Sequence, residues 1–117
     1  MKIREIAEVL SAKVLTPEAD LEREVFTACG SDMMSDVLAY VKDQAVLLTG
    51  LNNPQVIRTA DMMDMVCVVF VRGKVPEQAL LDMAEQKDIV VMTTEKTMFY
   101  ACGMLYDCGF KENAGDE

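Results

Sequence analysis

The chain has 117 residues, enough for one domain with a real core, and its 51% hydrophobic and 26% charged residues mark a folded globule rather than a disordered segment. A net charge of −9 excludes nucleic-acid binding through a broad basic surface, because phosphate contacts need clustered Lys and Arg. Histidine is absent, which removes the commonest general base near neutral pH and the usual zinc-binding patterns.

Ile3, Ile6, Ala7 and Leu10 fall at helical spacing, so residues 2–10 read as an amphipathic helix. "KVL" (13–15) is a candidate short strand, "TPEAD" (16–20) a turn, and "REVFTACG" (23–30) a strand stopped by Gly30. "SDMMSDVLAYVKD" (31–43) is a helix behind a Ser31 or Asp32 cap, with Met34, Val37, Leu38 and Val41 on one face. "AVLLTG" (45–50) is a buried strand, and residues 51–64 form a helix with Asn53 as cap and Pro54 at its first position. "MVCVVFV" (65–71) is the most strand-like segment of the chain. "RGK" (72–74) turns into a proline-opened helix, 76–86, and "IVVMT" (89–93) is the last strand. Met98, Ala101, Cys102 and Leu105 mark a final helix that stops near Gly109.

Strands with little polar alternation, each followed by a helix of about eleven residues, imply βαβ units and a parallel sheet. The expected architecture is α/β: one small domain over residues 1–110, with a mainly parallel sheet of four to five strands, and a flexible acidic tail at 111–117. No apolar run nears the roughly 18 residues of a membrane span. The start, "MKIREIAEVL", lacks the apolar core of a signal peptide, so a cytoplasmic location is expected.

Chemistry is sparse. Cys29, Cys67, Cys102 and Cys108 form no CxxC pair, and Cys67 reads as a small core residue. GxSxG, Walker A and HExxH are all missing, so no enzyme, no cofactor and no metal are expected. Asp32, Asp36 and Asp61 lie near strand-end loops and Lys96 is a conceivable base, but nothing in the sequence pairs them.

In an open parallel sheet, ligands bind at the carboxyl ends of the strands. Those loops are "GSD" (30–32), "TGLNN" (49–53), "RGK" (72–74) and "TTEKT" (93–97). They supply the candidate ligand-binding set Gly30, Ser31, Thr49, Gly50, Asn52, Asn53, Arg72, Gly73, Lys74, Thr93, Thr94, Lys96 and Thr97. Of eleven Lys and Arg residues, three fall here, which in an acidic protein favours a local anion. The plainer alternative makes the glycines turn residues, Thr94 and Asn53 caps, and the cations solvated charges. Ten methionines, among them Met33, Met34, Met62, Met63 and Met65, suggest either core filling or a face covered by a second copy, and a homodimer is expected.

At these loops the chain resembles the DRTGG domain family. The resemblance covers about residues 1–110 and rests on "KIREIAEVLSAKVL", "REVFTACGSDMMSDVLAYV", "AVLLTG" and "VVFVRGKVPEQALLDMAEQKDIVVMTTEKTMF". Where the family tends to carry Asp-Arg, this chain reads "LNNPQ"; where it tends to carry Thr-Gly-Gly, it reads "VRGKVP" and keeps Gly73. The family occurs alone, between CBS domains of regulated pyrophosphatases, and in a form related to the N-terminal domain of HPr kinase. The resemblance implies a small α/β regulatory or scaffold module, usually dimeric, without demonstrated catalysis. Two functions stay open: a sensor of an adenine nucleotide or other anionic metabolite, and an interaction protein docking a redox or hydrogenase-type partner enzyme.

Overall fold

The computed structural model describes residues 1–40 and 44–110; the expected tail at 111–117 and the expected end of the second helix at 41–43 lie outside the described residues. Among the described residues ten elements follow in chain order: α1 (Ile3–Leu10), β1 (Lys13–Val14), β2 (Thr27–Gly30), α2 (Met34–Tyr40), β3 (Ala45–Thr49), α3 (Gln55–Met62), β4 (Cys67–Phe70), α4 (Gln78–Gln86), β5 (Val90–Thr93) and α5 (Met98–Asp107).

The sheet order is β1-β5-β4-β3-β2. β2, β3, β4 and β5 run parallel, and β1 pairs antiparallel with β5, Lys13 opposite Thr93. The antiparallel strand has a simple cause. Only Ser11 and Ala12 separate α1 from β1, so the chain doubles straight back onto the sheet edge. Of the expected strand 23–30, only Thr27–Gly30 joins the ladder; Glu24 instead makes an isolated bridge to Lys2.

Two apolar layers sandwich the sheet. Val37, Val56, Ile57, Leu80 and Ala84 of α2, α3 and α4 meet Leu47, Val68, Phe70 and Val91 on one face. Ile3, Ile6, Leu10, Ala101 and Leu105 of α1 and α5 meet Val46, Leu48, Val69 and Met92 on the other. Period-2 alternation along β3 and β4 therefore splits residues that are all apolar between two buried faces, which is why these strands read as continuous hydrophobic runs. Each such fully buried aliphatic or aromatic side chain contributes about 1.5–3 kcal/mol relative to exposure. Met34 and Met65 fill this core, whereas Met33 and Met62 are exposed.

Several helices end on a left-handed residue that is not glycine. Ser11, Asp64 and Asp88 have φ near +50 to +56°, and Ala12, Met65 and Ile89 each donate back to the carbonyl five residues earlier. These closures satisfy the orphan carbonyls of α1, α3 and α4 and aim the chain into the next strand.

Candidate functional site

The connections of the sheet decide where a crevice forms. β4 leads to α4 on one face and β5 leads to α5 on the other, as their separate core partners show. The carboxyl ends of β4 and β5 thus flank the point where the chain switches faces, the place where open α/β sheets bind ligands. Arg72, Gly73 and Lys74 leave β4 there, and Thr94–Thr97 leaves β5.

The β4 exit is a tight turn. Arg72 has φ +58° and Gly73 φ +69°, and the Lys74 amide donates to the Val71 carbonyl at 3.3 Å, the pattern of a type I′ turn. Gly73 is required by its φ, which suits glycine; a Cβ there would also lie 2.8 Å from Glu95 Oε1, whose flexible side chain would have to move aside. This turn is fastened to the β5 exit. Arg72 N donates to Lys96 O and Gly73 N to Thr94 O, both at 2.8 Å, and the Thr93 hydroxyl donates to Lys74 O at 2.7 Å. Asn52 Nδ2 reaches Val75 O at 3.4 Å and draws in the third loop.

The β3 exit joins through charge. The Asp32 carboxylate accepts from Gly50 N at 2.7 Å and from the Thr49 hydroxyl at 3.0 Å. A Cβ on Gly50 would meet Arg72 Nη2 at 2.9 Å, so the missing side chain lets the guanidinium lie against the backbone. Of the two expected caps, Ser31 or Asp32, Ser31 Oγ accepts from the Met33 amide at 3.0 Å, while the Asp32 carboxylate turns toward β3.

The expected site residues divide into groups. Arg72, Gly73, Lys74, Thr93 and Lys96 cluster at the β4–β5 fork, with Thr49, Gly50 and Asn52 beside them. Thr94 is 2% exposed, and its hydroxyl donates to Leu10 O at 2.7 Å, closing the end of α1. Asn53 accepts from Gln55 N at 2.8 Å and caps α3, while Thr97 caps α5 by accepting from Tyr100 N at 3.4 Å. Gly30 stands apart as a packing glycine, since a Cβ there would lie 2.5 Å from Cys102 Sγ. The Arg72 and Gly73 amides of the β4 turn already serve carbonyls and are not free for an anion.

What the rim offers is side-chain charge. Arg72 is exposed, Lys74 and Lys96 half-buried, and among the described residues none of the three has an ion-pair partner within 4.0 Å. Phe99 and Tyr100, in the first turn of α5, are 81% and 64% exposed and stack edge-to-face. Their signal was present in the sequence: they follow the Thr97 cap side by side, while Ala101 and Leu105 hold the buried stripe of that helix. A cavity of about 380 Å³ at the amino ends of the strands is lined by Thr16, Glu18, Asp20, Arg23, Glu85 and Asp88, the wrong sign for an anion. No helix among the described residues is long and apolar enough to cross a membrane.

Fold and rim together define a small three-layer α/β domain with a cationic strand-end fork. The DRTGG domain profile matches residues 5–108, and the chain belongs to that family. Among solved structures it is similar to the CBS and DRTGG domains of the regulatory region of Clostridium perfringens pyrophosphatase, complexed with activator, diadenosine tetraphosphate. The TM-score is 0.74 at 18% identity, covering 89% of this chain and 45% of that one, so this chain spans about half of its neighbour. A comparison with curated proteins gives no match.

Proposed function

We propose that this domain is a non-catalytic regulatory module, acting as a homodimer, that senses a nucleotide or other phosphate-bearing anion at the β4–β5 fork. The observation that carries the reading is the gathering of Arg72, Lys74 and Lys96, without ion-pair partners among the described residues, at the point where the chain switches faces. Arg72 and the two lysines supply charge to phosphate oxygens, and Phe99 or Tyr100 supplies a face for a base. Support also comes from the neighbouring pyrophosphatase region, which was captured with a dinucleotide polyphosphate. The test is a thermal-shift and calorimetric screen of ADP, ATP and diadenosine tetraphosphate. Wild type binds one of them, and Arg72→Gln with Lys74→Gln abolishes binding while the melting temperature without ligand stays within about 2 °C. Binding that survives the double substitution removes the fork from consideration.

A second reading is favoured by the exposed Phe26, Met33, Met62 and Phe99. Here the domain docks a partner enzyme of redox or hydrogenase type and takes no small ligand. It predicts a flat screen and a stable complex lost on Phe99→Ser.

A further inference from the structure

We propose that Asp32 is a built-in competitor for the anion: its carboxylate holds a seat that a phosphoryl group takes by displacing it. This rests on the reading above and adds how the same site is regulated. The seat is made of the Thr49 hydroxyl and the Gly50 amide, with the Arg72 guanidinium beside it but beyond ion-pair distance of the carboxylate. Asp32 Oδ1 takes the first two at 3.0 and 2.7 Å. Arg72 Nη2 and Asp32 Oδ1 lie 2.9 and 3.6 Å from the point where a Gly50 Cβ would stand, so cation and carboxylate face the same side of that residue.

Three features make this more than a loop fastening. Thr49 is fully buried, and its hydroxyl is committed in direction because it also accepts from Leu51 N at 3.1 Å. The donors therefore stay in place when the carboxylate leaves. Asp32 is itself exposed, on the short segment between β2 and α2, so its side chain swings into solvent without opening the core. Lastly, two hydrogen-bond donors on one oxygen, with a guanidinium close by, suit a phosphoryl oxygen as well as a carboxylate oxygen. The ligand's net affinity is set by competition with a tethered anion, which raises the concentration needed for half-saturation by a constant factor.

The test compares wild type, Asp32→Asn, and Asp36→Asn, which changes the charge equally nearby, with inorganic pyrophosphate and ADP as probes. In the Asp32→Asn variant the side-chain amide oxygen still accepts from Gly50 and Thr49, so the loop stays closed while the competing charge is gone. Expected is at least tenfold tighter binding by Asp32→Asn, no change for Asp36→Asn, and loss of the gain when Arg72→Gln is added. If wild type binds through Arg72 and Asp32→Asn binds no tighter, or Asp36→Asn gains equally, the competitor is overturned while the ligand reading stands. If neither wild type nor Asp32→Asn binds, both fall. Should Asp32→Asn fail to fold, the Gly50 amide of the wild type decides: its resonance moves on adding pyrophosphate if the carboxylate is displaced, and a stationary resonance overturns the proposal.

Discussion

The amide of Arg72 donates to the carbonyl of Lys96 at 2.8 Å, across the gap between the β4 and β5 exits. One bond thereby joins two cationic residues that are 24 positions apart and belong to connections running to opposite faces of the sheet. With Gly73 N on Thr94 O and Thr93 on Lys74 O, it turns two loops into one rigid rim. Backbone hydrogen bonds thus hold three cationic residues at one rim, with the Glu95 carboxylate over Gly73 between them.

Gly73 is the most demanding position of this rim. Gly73→Val places a β-branched residue at φ +69° with its Cβ 2.8 Å from Glu95 Oε1. Glu95 is flexible and can yield, so backbone strain dominates, and a loss of about 1–3 kcal/mol is expected. Gly73→Asn, which tolerates the left-handed region, should cost clearly less. Chemical denaturation of the two variants gives the ranking, and equal losses would contradict the turn geometry.

Thr94 is predicted to matter for stability rather than for a ligand. Thr94→Val leaves the Leu10 carbonyl, at the end of α1, without its 2.7 Å donor, at a cost of about 1–3 kcal/mol, whereas Thr94→Ser retains most of the bond. Thermal melts should show Val well below Ser. A Val variant as stable as wild type would mean that water replaces the hydroxyl.

The fold was legible because its signals are local. Apolar runs at 45–50, 65–71 and 89–93, each followed by helical periodicity, announce parallel βαβ units, and each holds a strand here: Ala45–Thr49, Cys67–Phe70 and Val90–Thr93. Helix starts were less legible. The helix after Pro76 begins only at Gln78, behind an extended Glu77, and Thr97 rather than Thr94 caps α5. At the candidate site, spacing located the cations but not their partners. Asp32 meets Thr49 and Gly50 across 17 and 18 residues, and Thr94 meets Leu10 across 84, distances that only the folded sheet closes. Burial of a hydroxyl depends on what packs over it, and no local pattern at Thr94 reveals that α1 ends above it.

The cysteines give a test of burial. Burial raises the pKa of Cys67, Cys29 and Cys102, with Cys102 and Asp36 adding to the rise at Cys29. Alkylation of the native protein should label exposed Cys108 first, Cys29 and Cys102 slowly, and Cys67 only on unfolding. Above the ordinary thiol value of 9.0 the unfolded chain sheds these protons while the folded chain keeps them, so stability falls as pH rises past that point. Cys67→Ala should lower stability at pH 7 yet lose less of it between pH 8 and pH 10. An equal alkaline loss would assign the effect to other groups.

The most direct measurement is an amide-resolved NMR titration of uniformly labelled protein with ADP. Saturable shifts are predicted at Gly50, Arg72, Gly73, Lys96 and Thr97, with Asp64 and Asp88 at the opposite end of the sheet unmoved. A spectrum unchanged at millimolar ADP, or shifts confined to residues around Asp64 and Asp88, would contradict an ADP-binding site at the β4–β5 fork.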